Sequence, residues 1–211
     1  MSKNIAIIDY SLGNMFSVQQ AFAYLGVQAE VTDDISKIRN ADAIVLPGVG
    51  AFAEAMNCLN STGLTNEIKE AVSKGKPFLG ICLGMQLLFE ASEEFGASAG
   101  LGLIKGTIKR FAFEDKSIKI PQMGWNKINQ PEPDKWKGTV LNNVNDGEFM
   151  YFVHSYYAVP QNNDDVLCVT EYGGLNYCSA VLHDNIVATQ FHPEKSAQEG
   201  LKIYENWIKK I

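Results

Sequence analysis

The chain has 211 residues and no apolar run long enough to span a bilayer as a helix. It also lacks a basic surplus. Eighteen Lys and Arg face twenty-four Asp and Glu, a formal charge of -6, and the cations are scattered apart from Lys209-Lys210. That balance excludes the electrostatic footprint of a nucleic-acid binder. Histidine is scarce: His154, His183 and His192 are the three. Cysteine is sparse too, and Cys58, Cys82, Cys168 and Cys178 fit neither a small disulfide scaffold nor a zinc-ligand spacing. No internal repeat or low-complexity linker is present. Met1-Ser2-Lys3-Asn4 leads straight into an apolar run, so no export leader is expected and a reducing cytoplasm is the expected location.

What is present suits one compact globular domain. The chain is 46% hydrophobic and 20% charged, and a domain of this size buries roughly 70% of the surface its unfolded chain exposes. Ile5–Ile8, Val27–Val31, Ala43–Leu46 and Phe78–Ile81 read as buried strands. Between them lie helical patterns: 15–25 stopped by Gly26, a short turn capped by Asp33 or Asp34, 51–73 broken near Ser61-Thr62-Gly63, and 83 to about 93. Alternating apolar strands and helices predict an open, largely parallel α/β sheet with helices on both faces. After Gly96 the character changes. The segments 107–113, 149–154, 166–171, 177–182 and 186–190 read as strands with short turns, which predicts antiparallel additions in the C-terminal half. Residues 131–137 are expected to form an exposed excursion, and 197–210 a final helix. Cys58, Cys168 and Cys178 read as small buried hydrophobes.

Cys82 has a different setting. In Gly80-Ile81-Cys82-Leu83-Gly84 it follows a strand and opens a helix, with glycine two residues to either side. A sharp strand-to-helix turn lifts a nucleophile above the sheet and leaves room only for small neighbours. A thiolate is a strong nucleophile, and a helix N-terminus favours it.

Thiolate chemistry needs a base and a group to orient that base. His192 stands in Gln190-Phe191-His192-Pro193-Glu194-Lys195-Ser196, with Glu194 two residues on. If the backbone is extended through Pro193, both side chains point the same way. The pattern also suits a capped helix start, because Pro193 is a good first-turn residue. His183, in a polar hairpin turn, reads as solvated surface. His154, after Tyr151-Phe152-Val153, reads as a satisfied buried histidine on a site wall.

Acyl transfer further needs oxyanion donors. Pro47-Gly48-Val49-Gly50 leaves the third strand at its carboxyl end, where open α/β sheets bind ligands. By itself the segment suits an ordinary turn. Beside Cys82, the N–H groups of Gly48, Val49 and Gly50, with that of Leu83, become candidate donors.

These segments together resemble the class I (triad) glutamine amidotransferases over essentially the whole chain, 1–211, as one amidotransferase domain. The resemblance implies a Cys82-His192-Glu194 triad. Cys82 would attack the side-chain amide of glutamine, His192 would protonate the leaving ammonia, and a glutamyl thioester would be hydrolysed. Gln86 matches a family position that contacts glutamine, and Ser155 and Tyr156 join the substrate site. No cofactor or metal is implied.

Three further segments narrow the likeness: Asp9-Tyr10 with Gly13-Asn14; Pro121 with Met123-Gly124-Trp125-Asn126; and Phe152-Val153-His154-Ser155-Tyr156. They resemble the glutaminase-subunit family of the imidazole glycerol phosphate synthases. That implies a (β/α)₈ cyclase subunit as partner in histidine biosynthesis, with Gln122, Met123, Trp125, Asn126 and Lys195 at the interface. Ser11, Phe16 and Gln122 depart from residues frequent in that family, namely glycine, arginine and histidine. Paralogous glutaminases that feed a sugar amidotransferase of surface-polysaccharide synthesis resemble the chain at the same positions. A cysteine peptidase or thioesterase on a similar elbow is a further class, but a papain-type enzyme would carry its orienting residue far from the histidine. A scaffolding pseudoenzyme is the third, and the filled triad positions argue against it.

Overall fold

A computed structural model describes residues 3–211. Met1 and Ser2, the first residues of the segment expected to hold no export leader, lie outside the described residues. The first half alternates strand and helix: β1 (Ile5–Ile8), α1 (Met15–Tyr24), β2 (Ala29–Thr32), α2 (Ile35–Asn40), β3 (Ala43–Gly48), α3 (Phe52–Ser61), α4 (Leu64–Ser73), β4 (Phe78–Cys82) and the single turn α5 (Leu83–Gln86). Strands then dominate: β5 (Phe89–Ser92), β6 (Ser98–Ala99), β7 (Ile104–Arg110), β8 (Gln122–Ile128), β9 (Glu148–His154), β10 (Tyr156–Pro160), β11 (Val166–Tyr172), β12 (Leu175–His183) and β13 (Ile186–Thr189), before the closing helix α6 (Ala197–Ile208).

The principal sheet has eleven strands. Its main path runs β2-β1-β3-β4-β13-β12-β10-β7-β5-β6, and β11 pairs with β12. The pairs β1–β2, β1–β3, β3–β4 and β4–β13 are parallel. From β12 outward antiparallel pairing prevails, with β5–β7 parallel. A separate two-stranded antiparallel sheet joins β8 to β9.

Successive strand residues feed opposite cores, as the pleat requires. Ala6, Ile8, Ile44, Leu46 and Phe78 pack under α2, α3 and α4. Ile5, Ile7, Val45, Leu79 and Ile81 pack under α1 and α6, where Phe22 meets Tyr204 edge-on at 4.9 Å. Both faces are therefore apolar, which is why these strands read as unbroken hydrophobic runs. Asp34 caps α2 by accepting from Ser36 N at 2.7 Å, and the 51–73 pattern breaks at Gly63, whose φ is +77°.

Some expectations need correction. The helix expected from 83 to about 93 stops after Gln86, and Phe89–Ser92 is a strand. Leu87, Leu88 and Phe89 are wholly buried, and pairing with β6 and β7 outweighs the helical pattern. The strand expected at 107–113 runs 104–110, and Phe111 and Phe113 leave the sheet to stack on each other. Strands β6, β8 and β10 were not foreseen. In the 131–137 excursion, Trp136 turns inward and donates its indole N–H to Leu167 O at 2.7 Å. Cys168 and Cys178 are buried, with burial pushing both thiols up; Cys58 is only partly buried.

Candidate active site

Cys82 ends β4 with φ 55° and ψ -110°, a strained conformation that projects its side chain at the carboxyl ends of the parallel strands. The flanking glycines are sterically required. A Cβ on Gly84 would stand 1.8 Å from Leu46 O, and one on Gly80 would stand 3.0 Å from the Cβ of Ala188. Across the sheet Gly48 pairs in register with Cys82, and a Cβ there would meet Tyr10 Oη at 2.1 Å. Tyr10 Oη donates to Pro47 O at 2.9 Å, which braces the turn that follows β3.

The strand β13 lies beside β4 on the other side from β3, so the segment after it returns to Cys82. His192 is extended, and Pro193–Lys195 forms one 3-10 turn. The helix-start reading of Pro193 therefore describes the backbone, and the extended path through Pro193 is not what the chain adopts. The pairing survives all the same. Glu194 Oε1 accepts from His192 Nδ1 at 2.7 Å, and both side chains are buried. The strand β9 holds the pair from behind: His192 N donates to Tyr151 O at 2.9 Å, and Ser196 Oγ accepts from Tyr151 N at 3.0 Å.

His192 Nε2 is buried and meets no protein hydrogen-bond partner. Burial alone would lower its pKa, but the Cys82 sulfur and the Glu194 carboxylate outweigh that and raise it to about 10. The imidazole is therefore built to take and hold a proton beside the sulfur. Behind it, Tyr204 Oη is pushed well up by burial and then by the Glu194 carboxylate.

A cleft of about 320 Å³ opens over Cys82. Val49, Gly50, Leu83, Gln86, Ser155 and Tyr156, all anticipated, line it. So do Pro121 and Val153, which belong to the segments that narrow the likeness, and Glu94, which the sequence did not single out. Glu94 was hidden by the expected helix; it follows β5, and its Oε2 accepts from Phe52 N at 2.6 Å. His154 lines the cleft as a buried wall residue. Its Nδ1 donates to Tyr156 O at 2.8 Å, its Nε2 lies 3.2 Å from Tyr177 Oη, and burial lowers its pKa to about 4. His183 is less free than expected, since its Nδ1 lies 2.9 Å from Asp165. Among the described residues no group of three His, Cys, Asp or Glu side chains is placed to hold a metal ion.

The residues expected at a partner interface separate into two sets. Met123 and Trp125 point outward from β8, with Trp125 53% exposed, and Phe149 on β9 joins them. Trp125 meets Tyr151 edge-on at 6.3 Å, and Lys195 Nζ lies 5.7 Å above the Tyr151 ring. Gln122 points inward instead. It is 2% exposed, and its Oε1 accepts from Tyr177 Oη at 3.0 Å. Asn126 also turns toward the body, donating to Glu171 O at 2.8 Å. Alternation along β8 explains both: residues 122, 126 and 128 share the inner face.

Comparisons agree with this geometry. The family model described as "Glutamine amidotransferase class-I" matches residues 6–211. A Syntrophotalea carbinolica protein named imidazole glycerol phosphate synthase subunit HisH is 47% identical, over 96% of this chain and 98% of its own. One of the same name from Sulfurimonas denitrificans is 48% identical, over 97% of each. Among solved structures, PurLQS from Thermotoga maritima superposes with a TM-score of 0.74 at 19% identity, covering 100% of this chain and 99% of that one. The glutaminase domain of Trypanosoma brucei CTPS gives 0.65 at 17%, covering 99% and 94%. Among the described residues no helix is long and apolar enough to cross a membrane. The chain belongs to the class I glutamine amidotransferase family.

Proposed function

We propose that the chain is the glutaminase subunit of an imidazole glycerol phosphate synthase, one amidotransferase domain working in the cytoplasm through a Cys82-His192-Glu194 triad. The observation that carries the chemistry is the His192 imidazole, locked at Nδ1 by Glu194 and unpartnered at Nε2 beside Cys82. The relatives' shared name carries the pathway.

In this reading His192 Nε2 takes the thiol proton from Cys82. The thiolate attacks the side-chain amide carbon of glutamine. Backbone N–H groups of the Gly48–Gly50 turn and of Leu83 receive the developing oxyanion. His192 then gives its proton to the departing nitrogen, and ammonia leaves. Water, deprotonated by the same imidazole, hydrolyses the glutamyl thioester to glutamate. Glu94 supplies a carboxylate in the cleft suited to the substrate's α-ammonium. Ammonia passes to a (β/α)₈ cyclase subunit seated on the exposed face of β8 and β9, through Met123 and Trp125 with Lys195 beside them. Gln122 and Asn126 support that face from beneath. Docking there reaches the site directly, because Tyr151 touches Trp125 with its ring and His192 with its backbone. A turn at Val49 that is aimed only in the complex would keep glutamine from being wasted.

The test uses the purified chain alone and with an imidazole glycerol phosphate cyclase subunit plus its nucleotide ligand. Strong stimulation of glutamine hydrolysis is expected. Cys82→Ala should abolish the glutamine-dependent reaction and leave ammonia-dependent synthesis by the complex intact. Glutamine turnover by Cys82→Ala would remove the triad. Absence of stimulation, with Cys82 still the alkylated residue, would replace the partner by a sugar amidotransferase.

A further inference from the structure

Resting on the glutaminase reading, we infer that Gln190 is a fixed hydrogen-bond donor to the Cys82 sulfur, which holds it as a thiolate and ties it to the substrate-contacting side chain of Gln86. Gln190 follows β13 and is 0% exposed. Its Nε2 lies 3.7 Å from Cys82 Sγ, and its Oε1 lies 2.9 Å from Gln86 Nε2. Gln86 Nε2 also lies 3.0 Å from Tyr156 O.

The polarity of this chain of amides follows from its far end. A backbone carbonyl only accepts, so the Gln86 atom facing Tyr156 O must be its NH₂. The same NH₂ then donates to Gln190, whose facing atom must be the carbonyl oxygen. That leaves the Gln190 NH₂ aimed at the sulfur. A primary amide is easily flipped in isolation, but this one is locked by a partner that cannot reverse.

The sulfur therefore has two kinds of neighbour. Val153 O, 3.9 Å away on β9, can be satisfied only by a thiol S–H. Gln190 Nε2 suits a thiolate, because a donor favours the charged form of its acceptor. When the Cys82 proton moves to His192 Nε2, the contact with Val153 O loses its hydrogen and the contact with Gln190 strengthens. Gln190 neither takes nor gives a proton. Because Gln86 donates to Gln190, a substrate that draws on Gln86 also alters the group holding the nucleophile.

The titrating and charged groups around Cys82 are His192 and Glu194 after β13, Tyr10 after β1, His154 on β9, Tyr156 on β10, and Glu94 after β5. All of them remain when Gln190 is changed, so a difference between variants reports Gln190.

The experiment follows the rate of Cys82 alkylation by iodoacetamide against pH in the full-length chain, together with the ultraviolet thiolate absorbance that Cys82→Ala lacks. Gln190→Met keeps the volume and removes the donor. Its acid limb should move up by about one pH unit, which is about tenfold slower alkylation on the acid side. Gln190→Glu places a carboxylate against the sulfur and should move the limb further in the same direction. Gln86→Leu leaves Gln190 present but free to flip, and should move the limb by less than Gln190→Met. It also decides the matter should either Gln190 variant fail to fold. An acid limb that overlays wild type in Gln190→Met, or in Gln86→Leu where Gln190→Met does not fold, would overturn the inference. Failure of the glutaminase reading looks different: the unmodified wild-type chain with its cyclase partner and nucleotide ligand would not hydrolyse glutamine, wherever the limbs lie.

Discussion

His192 Nδ1 and Glu194 Oε1 stand 2.7 Å apart with Pro193 alone between them, on a 3-10 turn that brings the carboxylate back under the ring. The carboxylate fixes the tautomer that leaves Nε2 to the thiol and stabilises the imidazolium once formed. Glu194→Gln keeps the shape and removes the charge. We expect kcat for glutamine hydrolysis in the complex to fall about a hundredfold or more. The pH profile should shift with it, as His192 loses one of the two groups that hold its pKa near 10. Steady-state rates with the partner present check this, and an unchanged kcat would assign Glu194 to packing alone.

Gly84 tests the elbow. The Cβ of Gly84→Ala would stand 1.8 Å from Leu46 O, a backbone atom that moves only if β3 moves. We expect a loss of about 3 kcal/mol or more in chemical denaturation. Gly102→Ala is the control. Its Cβ would meet nothing within 4 Å, and only its φ of +64° opposes it, at about 1 kcal/mol.

His154 makes stability fall with acid. Its folded pKa, about 4, lies below the unfolded value of 6.5, so between those values the unfolded chain binds more protons. The contribution of the neutral ring is fully present above about pH 6.5 and is lost as pH falls toward 4, on the order of 3 kcal/mol in all. Denaturation curves at pH 7 and pH 5 should separate in the wild type and converge in His154→Gln. Equal separation in both would place the acid sensitivity elsewhere.

Trp125 tests the partner face. Its ring is half exposed and rests on Tyr151. Trp125→Ala should leave thermal unfolding of the chain nearly unchanged and weaken binding to the cyclase subunit about thirtyfold, the loss of an aromatic anchor worth about 2 kcal/mol. Calorimetric titration reads the difference. An unaltered Kd would move the docking surface off β8 and β9.

Much of this was legible in the chain. The short apolar runs at 5–8, 43–46 and 78–81 could only be strands buried on both faces. The two glycines around Cys82 marked a turn too tight for any side chain, and the two-residue spacing of His192 and Glu194 marked a pair. These signals are local, so neighbouring residues suffice to carry them.

The rest depended on contacts between distant segments. Cys82 and His192 lie 110 residues apart, and they meet because β13 pairs beside β4. Phe89–Ser92 has a helical pattern but becomes a strand because β6 and β7 offer their edges. Gln122 looked like a surface residue beside Met123, and the alternation of a strand covered on one face turned it inward. Gln190 carried no signal at all, since a glutamine before Phe191-His192 has no function until Gln86 fixes its amide. The strand runs, the elbow and the His-Glu pair could be read from neighbouring residues, because backbone sterics and short-range pleat geometry act within a few positions. Which edges pair, which faces are covered and which way an amide points could be read only from the folded chain, because those depend on groups brought together from afar.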